Sequence, residues 1–454
     1  MSKEWANTTI RRFVLLMLLT AVSVLIRSAP VMAQAPQKRL INTAMKAEII
    51  DSVCAALDEI YVFPDVAQKM GDRLRKGLQD KKYADINDPD EFAEIITGEL
   101  REISNDKHLG ARAMTPEMVE RYSQDELTDE ALKEELERMK YKNFNFVKVE
   151  RLDGNVGYLK FNGFVEADKG GATAVAAINF LNHVDALIID LRDNGGGSPS
   201  MIQLITSYFF DEAVHLNSFY IRKEDSIKQF WTQAHVQGEK MADVDLYVLT
   251  SDYTFSGAEE FTYNLKNLER ATIIGETTGG GAHPVTTRMF PNLLFGVRVP
   301  FGRAINPISG TNWEGTGVTP HIEVPADQAL DVAYLEALKG LNEKTDREDL
   351  KFGLQWAIDG LKIKMNPVTV DEKILRSYVG VYGPRTITFE NGKLYYQRED
   401  RPQMEMIPMA EDLFGFEKLD YFRLKVIRDD KGNAIELHGT YDNGYIDKSP
   451  RTDG

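Results

Sequence analysis

The segment from Leu246 to Leu268 holds the residue best placed for covalent chemistry. An apolar run, Leu246 to Leu249, leads through Thr250-Ser251-Asp252-Tyr253-Thr254-Phe255 into Ser256-Gly257-Ala258-Glu259-Glu260-Phe261. Ala258, Phe261, Leu265 and Leu268 fall at helical spacing, which predicts a helix beginning at Ser256. A hydroxyl there sits near unpaired N–H groups and the positive end of the helix dipole. Gly257 has no side chain, so its N–H can approach a developing oxyanion closely. Taken alone, such a serine is more simply an N-cap.

A second loop adds weight. The apolar strand Ala186-Leu187-Ile188-Ile189-Asp190-Leu191 runs into Arg192-Asp193-Asn194-Gly195-Gly196-Gly197. Three consecutive glycines after a buried strand permit a turn that aims backbone N–H groups at a ligand. No Lys-Ser/Thr follows them, so a phosphate-binding loop fits less well.

These two segments, followed by Gly275-Glu276-Thr277-Thr278-Gly279-Gly280-Gly281, resemble one serine-peptidase family in motif and order, over about residues 42–325. It is the family of carboxyl-terminal processing peptidases, tricorn core proteases and interphotoreceptor retinoid-binding proteins. The resemblance implies a core similar to the crotonase and Clp-protease fold, built from β-β-α units. Processing peptidases of the family carry a Lys base where this chain has Gly281, and no Lys stands between Asn267 and Lys339. The tricorn and retinoid-binding branch instead places a His after the amino-terminal helices and a Glu before a Gly-Val-x-Pro turn. Asp106-Lys107-His108-Leu109 and Asn312-Trp313-Glu314-Gly315-Thr316-Gly317-Val318-Thr319-Pro320 resemble those two segments. That branch has Ser directly before the His; Lys107 stands there in this chain.

The roles implied by the resemblance are Ser256 as nucleophile, His108 as general base and Glu314 as the carboxylate orienting the base. A serine hydroxyl needs such a base, and a carboxylate on the second ring nitrogen fixes the tautomer. Gly257 and Gly196 are the expected oxyanion-hole donors; Gly195, Gly197 and His283 are expected to line the substrate cleft. His283 is also the alternative base. Glu259 and Glu260 are adjacent on a helix and cannot both face one substrate atom, which predicts structural or solvated roles. No His-x-x-x-His or His-Glu pair suggests a metal, and no cofactor is implied.

The expected function is therefore hydrolysis of peptide bonds in peptides or unfolded protein segments through an acyl-enzyme. The alternative is a catalytically silent carrier of apolar, retinoid- or fatty-acid-like ligands. A formal charge of −16 with no compensating basic block disfavours nucleic acid and anionic membrane surfaces as partners. Cys54, the only cysteine, excludes a disulfide framework and sits in an apolar helical pattern as a structural thiol.

The elements that must position these residues follow from periodicity. Residues 1–33 read as a signal peptide: Arg11-Arg12, the apolar run Phe13 to Ile26, then Val31-Met32-Ala33 before the cut. Cleavage would remove four Lys/Arg and one Glu, a net +3, taking the charge from −16 to −19. The destination expected is periplasmic or secreted, with no integral membrane domain beyond that segment. Residues 34–144 read as a helical domain and connector, with apolar stripes Ala67-Met70-Leu74-Leu78 and Phe92-Ile95-Ile96-Leu100-Ile103. Residues 145–345 alternate strands (Val156 to Phe161, Ala186 to Leu191, Leu246 to Leu249, Ala271 to Ile274) with helices, an α/β core. A helical linker, 346–366, ends at Asn366-Pro367. Residues 367–454 read as a small antiparallel β domain, with a hairpin at Asn391-Gly392.

Overall fold

The computed structural model describes residues 39–123 and 128–453. The signal-peptide reading falls on residues outside these. Among the described residues, no helix is long and apolar enough to cross a membrane.

The architecture is mixed α/β: amino-terminal helices, a central α/β core and carboxyl-terminal antiparallel sheets. The central six-stranded sheet has the order Ile322–Glu323, Thr272–Gly275, Asp245–Thr250, Ala186–Asp190, Val156–Phe161, Phe146–Leu152. All its pairs are parallel except the last. Ala186–Asp190 is buried at every position, as a central parallel strand requires. One face packs against the helices Ala167–Phe180, Pro199–Thr206 and Gly257–Asn267 through residues such as Leu187, Ile189, Val248, Phe261 and Leu265. The other face takes the helices Ala329–Lys344 and Glu348–Met365 through Ile188, Leu249, Ala333, Ala337 and Ile358. The parallel strands end together beside the glycine loop and Ser256, where open α/β sheets place their sites.

The helices Thr43–Ile60, Pro64–Gln79 and Pro89–Ser104 arise where the apolar stripes predict them. Asp88 caps the third, accepting from the N–H groups of Asp90 and Glu91, and Asn105 ends it in the left-handed region at φ 55°. Their buried residues share one cluster with Phe295, Val297 and Val299 of the strand Phe295–Pro300. The strand Gly110–Ala113 pairs antiparallel with Phe295–Pro300, Gly110 opposite Arg298. This pairing delivers the end of the helical region to the core. The three-stranded arms built from Val285–Phe290, Phe295–Pro300, Gly302–Ile305, His215–Ile221 and Ser226–Trp231 have no counterpart in the expected strands. Their burial does not alternate cleanly: Phe295–Pro300 is buried at five of six positions, while the middle of Val285–Phe290 and of Ser226–Trp231 is exposed.

The helix Gly257–Asn267 carries two acidic residues that are both buried, Glu259 at 0% and Glu260 at 4% exposure. Of the two expected roles, structural or solvated, burial selects the structural one for both: this helix lies between the sheet and the arms, so even its polar positions lose water. Burial pushes the Glu260 carboxyl up to about 7.

The carboxyl-terminal unit contains a four-stranded and a five-stranded antiparallel sheet. Its hairpin forms at Asn391 and Gly392, both at positive φ (51° and 83°), with Glu390 opposite Lys393. Buried Arg385 ties the two sheets together, donating to Asp447 and Ser449. Its apolar cluster draws only on residues from Val370 onward, whereas the clusters of the rest of the chain stop at Met365. Docking is through Arg423, which stacks 3.8 Å over the Trp356 ring, while Trp356 Nε1 donates to Asp420 O at 2.7 Å.

Two outcomes follow from this packing. A chain shortened to end at residue 366 is expected to keep a cooperative thermal transition by circular dichroism, because no apolar cluster is cut. Loss of cooperativity would show that the β unit completes the core. For Glu260, the folded state holds a proton that the unfolded chain releases, so stability falls as pH rises from about 4.5 to about 7 and is level above. The drop is on the order of 3 kcal/mol. Urea denaturation of Glu260→Gln is expected to lack that fall; an unchanged pH slope would place the titration elsewhere.

Candidate active site

Ser256 sits in the turn between the strand Asp245–Thr250 and the helix Gly257–Asn267, at φ 53° and ψ −118°. A non-glycine residue held there stores about 1–3 kcal/mol of backbone strain, characteristic of a nucleophile raised on a strand-to-helix turn. The Ser256 N–H donates to Glu259 Oε2 at 2.8 Å, and its Oγ lies 3.0 Å from His108 Nε2. The hydroxyl thus faces an imidazole instead of acting as a simple cap.

His108 follows the third helix by four residues. Asp106 Oδ1 accepts the His108 N–H at 2.9 Å, and Arg298 Nε donates to the His108 carbonyl at 2.7 Å. The ring packs on Phe255, with centroids 4.7 Å apart. It is 3% exposed, and burial, opposed by the charge of Asp106, pushes its pKa down to about 4. Such an imidazole is neutral at neutral pH and free to accept a proton. A Cβ at Gly281 would come within 2.7 Å of His108 Cε1 and 2.3 Å of Phe255 Cζ. A side chain at Gly281 would therefore meet the rings of Phe255 and His108, which occupy the space beside that position.

Glu314 is brought to the same place but does not bond His108. Its Oε2 accepts the Ala282 N–H at 2.5 Å and lies 3.4 Å from His283 Nδ1. Glu314 Oε1 and His108 Nδ1 are both buried and both lack a hydrogen-bond partner. One ligand atom each from Asp106, His108 and Glu314 lie within 4.8 Å of one another. Burial, reinforced by the Asp106 charge, pushes the Glu314 carboxyl up to about 7. His283 bonds a carboxylate: its Nδ1 is 2.7 Å from Asp106 Oδ2, and its ring stands edge-on to Phe63. Tyr61 OH also donates to Asp106 Oδ2, at 3.3 Å.

The glycine loop meets Ser256 through its backbone. Its register is set by Arg192, which forks onto Asp190 (Nε to Oδ1 2.9 Å, Nη2 to Oδ2 2.6 Å), and by Asn194, whose carbonyl accepts the Phe255 N–H. The Gly196 N–H donates to Asn194 Oδ1 at 2.9 Å. The donor expected of Gly196 is thus engaged within its own loop. Phe164 bridges to Gly197 in parallel fashion, bonding Gly196 O and the Ser198 N–H, so the Gly197 N–H points away from Phe164. A Cβ at Gly257 would lie 2.8 Å from both Gly197 N and Gly197 O, so the backbones of Gly197 and Gly257 approach closely next to Ser256. Gly195 flanks them near the Tyr253 hydroxyl.

Glu259 was missed from sequence as a site residue. Its carboxylate accepts from the N–H groups of Ser256, Gly280 and Gly281 and from Thr278 Oγ1. Burial raises its pKa while these four donors oppose the rise. The signal was present, an acid three residues after the serine, but the adjacent Glu260 obscured it.

Two family descriptions match this chain: Peptidase family S41 over residues 155–324, and the N-terminal domain of Peptidase_S41 in eukaryotic IRBP over residues 39–143. A "Probable CtpA-like serine protease" of Staphylococcus epidermidis is 27% identical over 272 residues, covering 57% of this chain and 51% of its own length. That of Staphylococcus saprophyticus is 27% identical over 191 residues, covering 39% and 36%. This chain thus spans between a third and a half of the length of those relatives. Among solved structures, the photosystem II D1 C-terminal processing protease is 15% identical with a TM-score of 0.41, covering 62% of this chain and 94% of that one. The two family matches together take in more than half of the chain, in the order and positions that the motifs anticipate, and the chain belongs to peptidase family S41.

Proposed function

We propose that this protein is an exported serine peptidase that cleaves peptides or unfolded protein segments through an acyl-enzyme on Ser256. The observation that carries the reading is the 3.0 Å contact between Ser256 Oγ and His108 Nε2, made by a neutral, buried imidazole. Ser256 Oγ attacks the scissile carbonyl carbon while its proton passes to His108 Nε2. The oxyanion takes hydrogen bonds from the Gly257 and Gly197 amides. His108 then returns the proton to the leaving amine, and water reverses the sequence to release the acid.

Glu314 completes the set across a short gap. Its unpartnered Oε1 and the unpartnered His108 Nδ1 are complementary, and closing them would stabilise the imidazolium as it forms. His283 serves the carboxylates, not the serine: it bonds Asp106, which in turn holds the His108 backbone. Export rests on the basic and apolar pattern of residues 1–33.

A fluorophosphonate probe is expected to label the protein at Ser256 alone, and labelling should vanish in Ser256→Ala and His108→Ala. Labelling that survives Ser256→Ala sinks the assignment, while apolar-ligand binding by an unlabelled protein would favour a carrier. His283→Ala should retain the adduct; a loss as deep as that of Ser256→Ala, with His108→Ala mild, would make His283 the base.

In steady-state kinetics on a short peptide, Glu314→Gln is expected to lower kcat by about 10²–10⁴ with little change in KM. That corresponds to roughly 3–5 kcal/mol of transition-state stabilisation. A variant within about threefold of wild type would confine Glu314 to holding the Ala282 N–H.

A further inference from the structure

We propose that Asp106, His108 and Glu314 form an inhibitory site for a divalent transition ion, Zn²⁺ being the best match, behind the catalytic imidazole. Asp106 and His108 are two positions apart, Glu314 lies more than two hundred positions on, and the three form no metal motif, yet one ligand atom from each lies within 4.8 Å of the others. Two of the available donors, His108 Nδ1 and Glu314 Oε1, are buried and have no partner. Asp106 is fully buried at 0% exposure and His108 nearly so at 3%. A tetrahedral zinc with bonds of about 2.0–2.1 Å needs its donors about 3.4 Å apart, so shifts of about 1 Å at each side chain close the site.

The donor chemistry suits this ion. One imidazole and two carboxylates form a nitrogen–oxygen set of the kind zinc accepts, with a fourth position left for water or a further donor. His283 Nδ1, 2.7 Å from Asp106 Oδ2 and 3.4 Å from Glu314 Oε2, is a further imidazole nitrogen at the same carboxylates. Two carboxylates side by side in a water-poor place repel one another, and a divalent cation between them relieves that repulsion. The Glu314 side chain, 15% exposed, provides the way in.

Occupancy has a defined chemical consequence. A neutral imidazole that binds metal through Nδ1 carries its one proton on Nε2. His108 would then present an N–H to Ser256 Oγ in place of a lone pair, and the serine proton would have no acceptor. Binding needs nothing from Ser256, whereas inhibition rests on the reading of His108 as the base.

The test uses the full, untagged chain. Zn²⁺ is titrated by calorimetry into Ser256→Ala, which keeps the ligands, and Co²⁺ absorption in the visible reports the coordination geometry. One saturable ion per chain is expected, abolished in His108→Ala and weakened at least tenfold in the near-isosteric Glu314→Gln, which keeps the site testable should His108→Ala not fold. In the unmutated enzyme, Zn²⁺ should suppress peptide hydrolysis and a chelator should restore it. Absence of saturable binding in Ser256→Ala, or equal binding in Glu314→Gln, overturns the site. Site-dependent binding that leaves hydrolysis untouched overturns the inhibition. An unmutated chain with no hydrolysis at all sinks the peptidase reading, while calorimetry still decides the metal site on its own.

Discussion

A single buried carboxylate holds the catalytic region in register. Glu259, without solvent contact, accepts from the Ser256 N–H, the Gly280 and Gly281 N–H groups and the Thr278 hydroxyl. A buried charge costs several kcal/mol unless its lone pairs are satisfied, and here four donors satisfy them. Each donor belongs to a loop with few apolar anchors of its own. The carboxylate therefore fixes the strained backbone of Ser256 and the glycine loop after Thr272–Gly275 in one act. Through Gly281 it also sets the wall against which His108 packs.

The second half of the machinery comes from a different part of the chain. His108 reaches Ser256 because the strand Gly110–Ala113 adds to Phe295–Pro300, and because the amino-terminal helices share an apolar cluster with that strand. Asp106 joins the two ends: it caps the His108 backbone and binds His283, 177 positions away in sequence. Loosening the helical cluster would therefore separate His108 from Ser256 while the central sheet kept its own apolar clusters.

The site concentrates unfavourable electrostatics: a neutral buried imidazole, a carboxyl held up near neutrality and two carboxylates side by side. Such groups detract from stability, and the surrounding packing makes up the deficit. The unpartnered atoms on His108 and Glu314 belong to this pattern, since a fully satisfied network would have less to offer a changing charge during reaction.

What could be read along the chain was whatever depends on near neighbours. The alternation of strands and helices, the serine at a helix start, the triple-glycine turn and the Asn391-Gly392 hairpin each rest on local periodicity or backbone preference, and each stands where it was read. Family motifs extended this to His108 and Glu314, which the fold does bring beside Ser256. The partners of those residues could not be read. Asn194 capturing the Gly196 N–H, Gly197 bridging to Phe164, and Glu314 bonding Ala282 depend on how separate loops approach within a fraction of an ångström. The four bonds of Glu259 and the contact of His283 with Asp106 are of the same kind. Hydrogen bonds between distant segments leave no period in the sequence, because their geometry is set by the packing of the elements that carry them, and only the folded chain contains that packing.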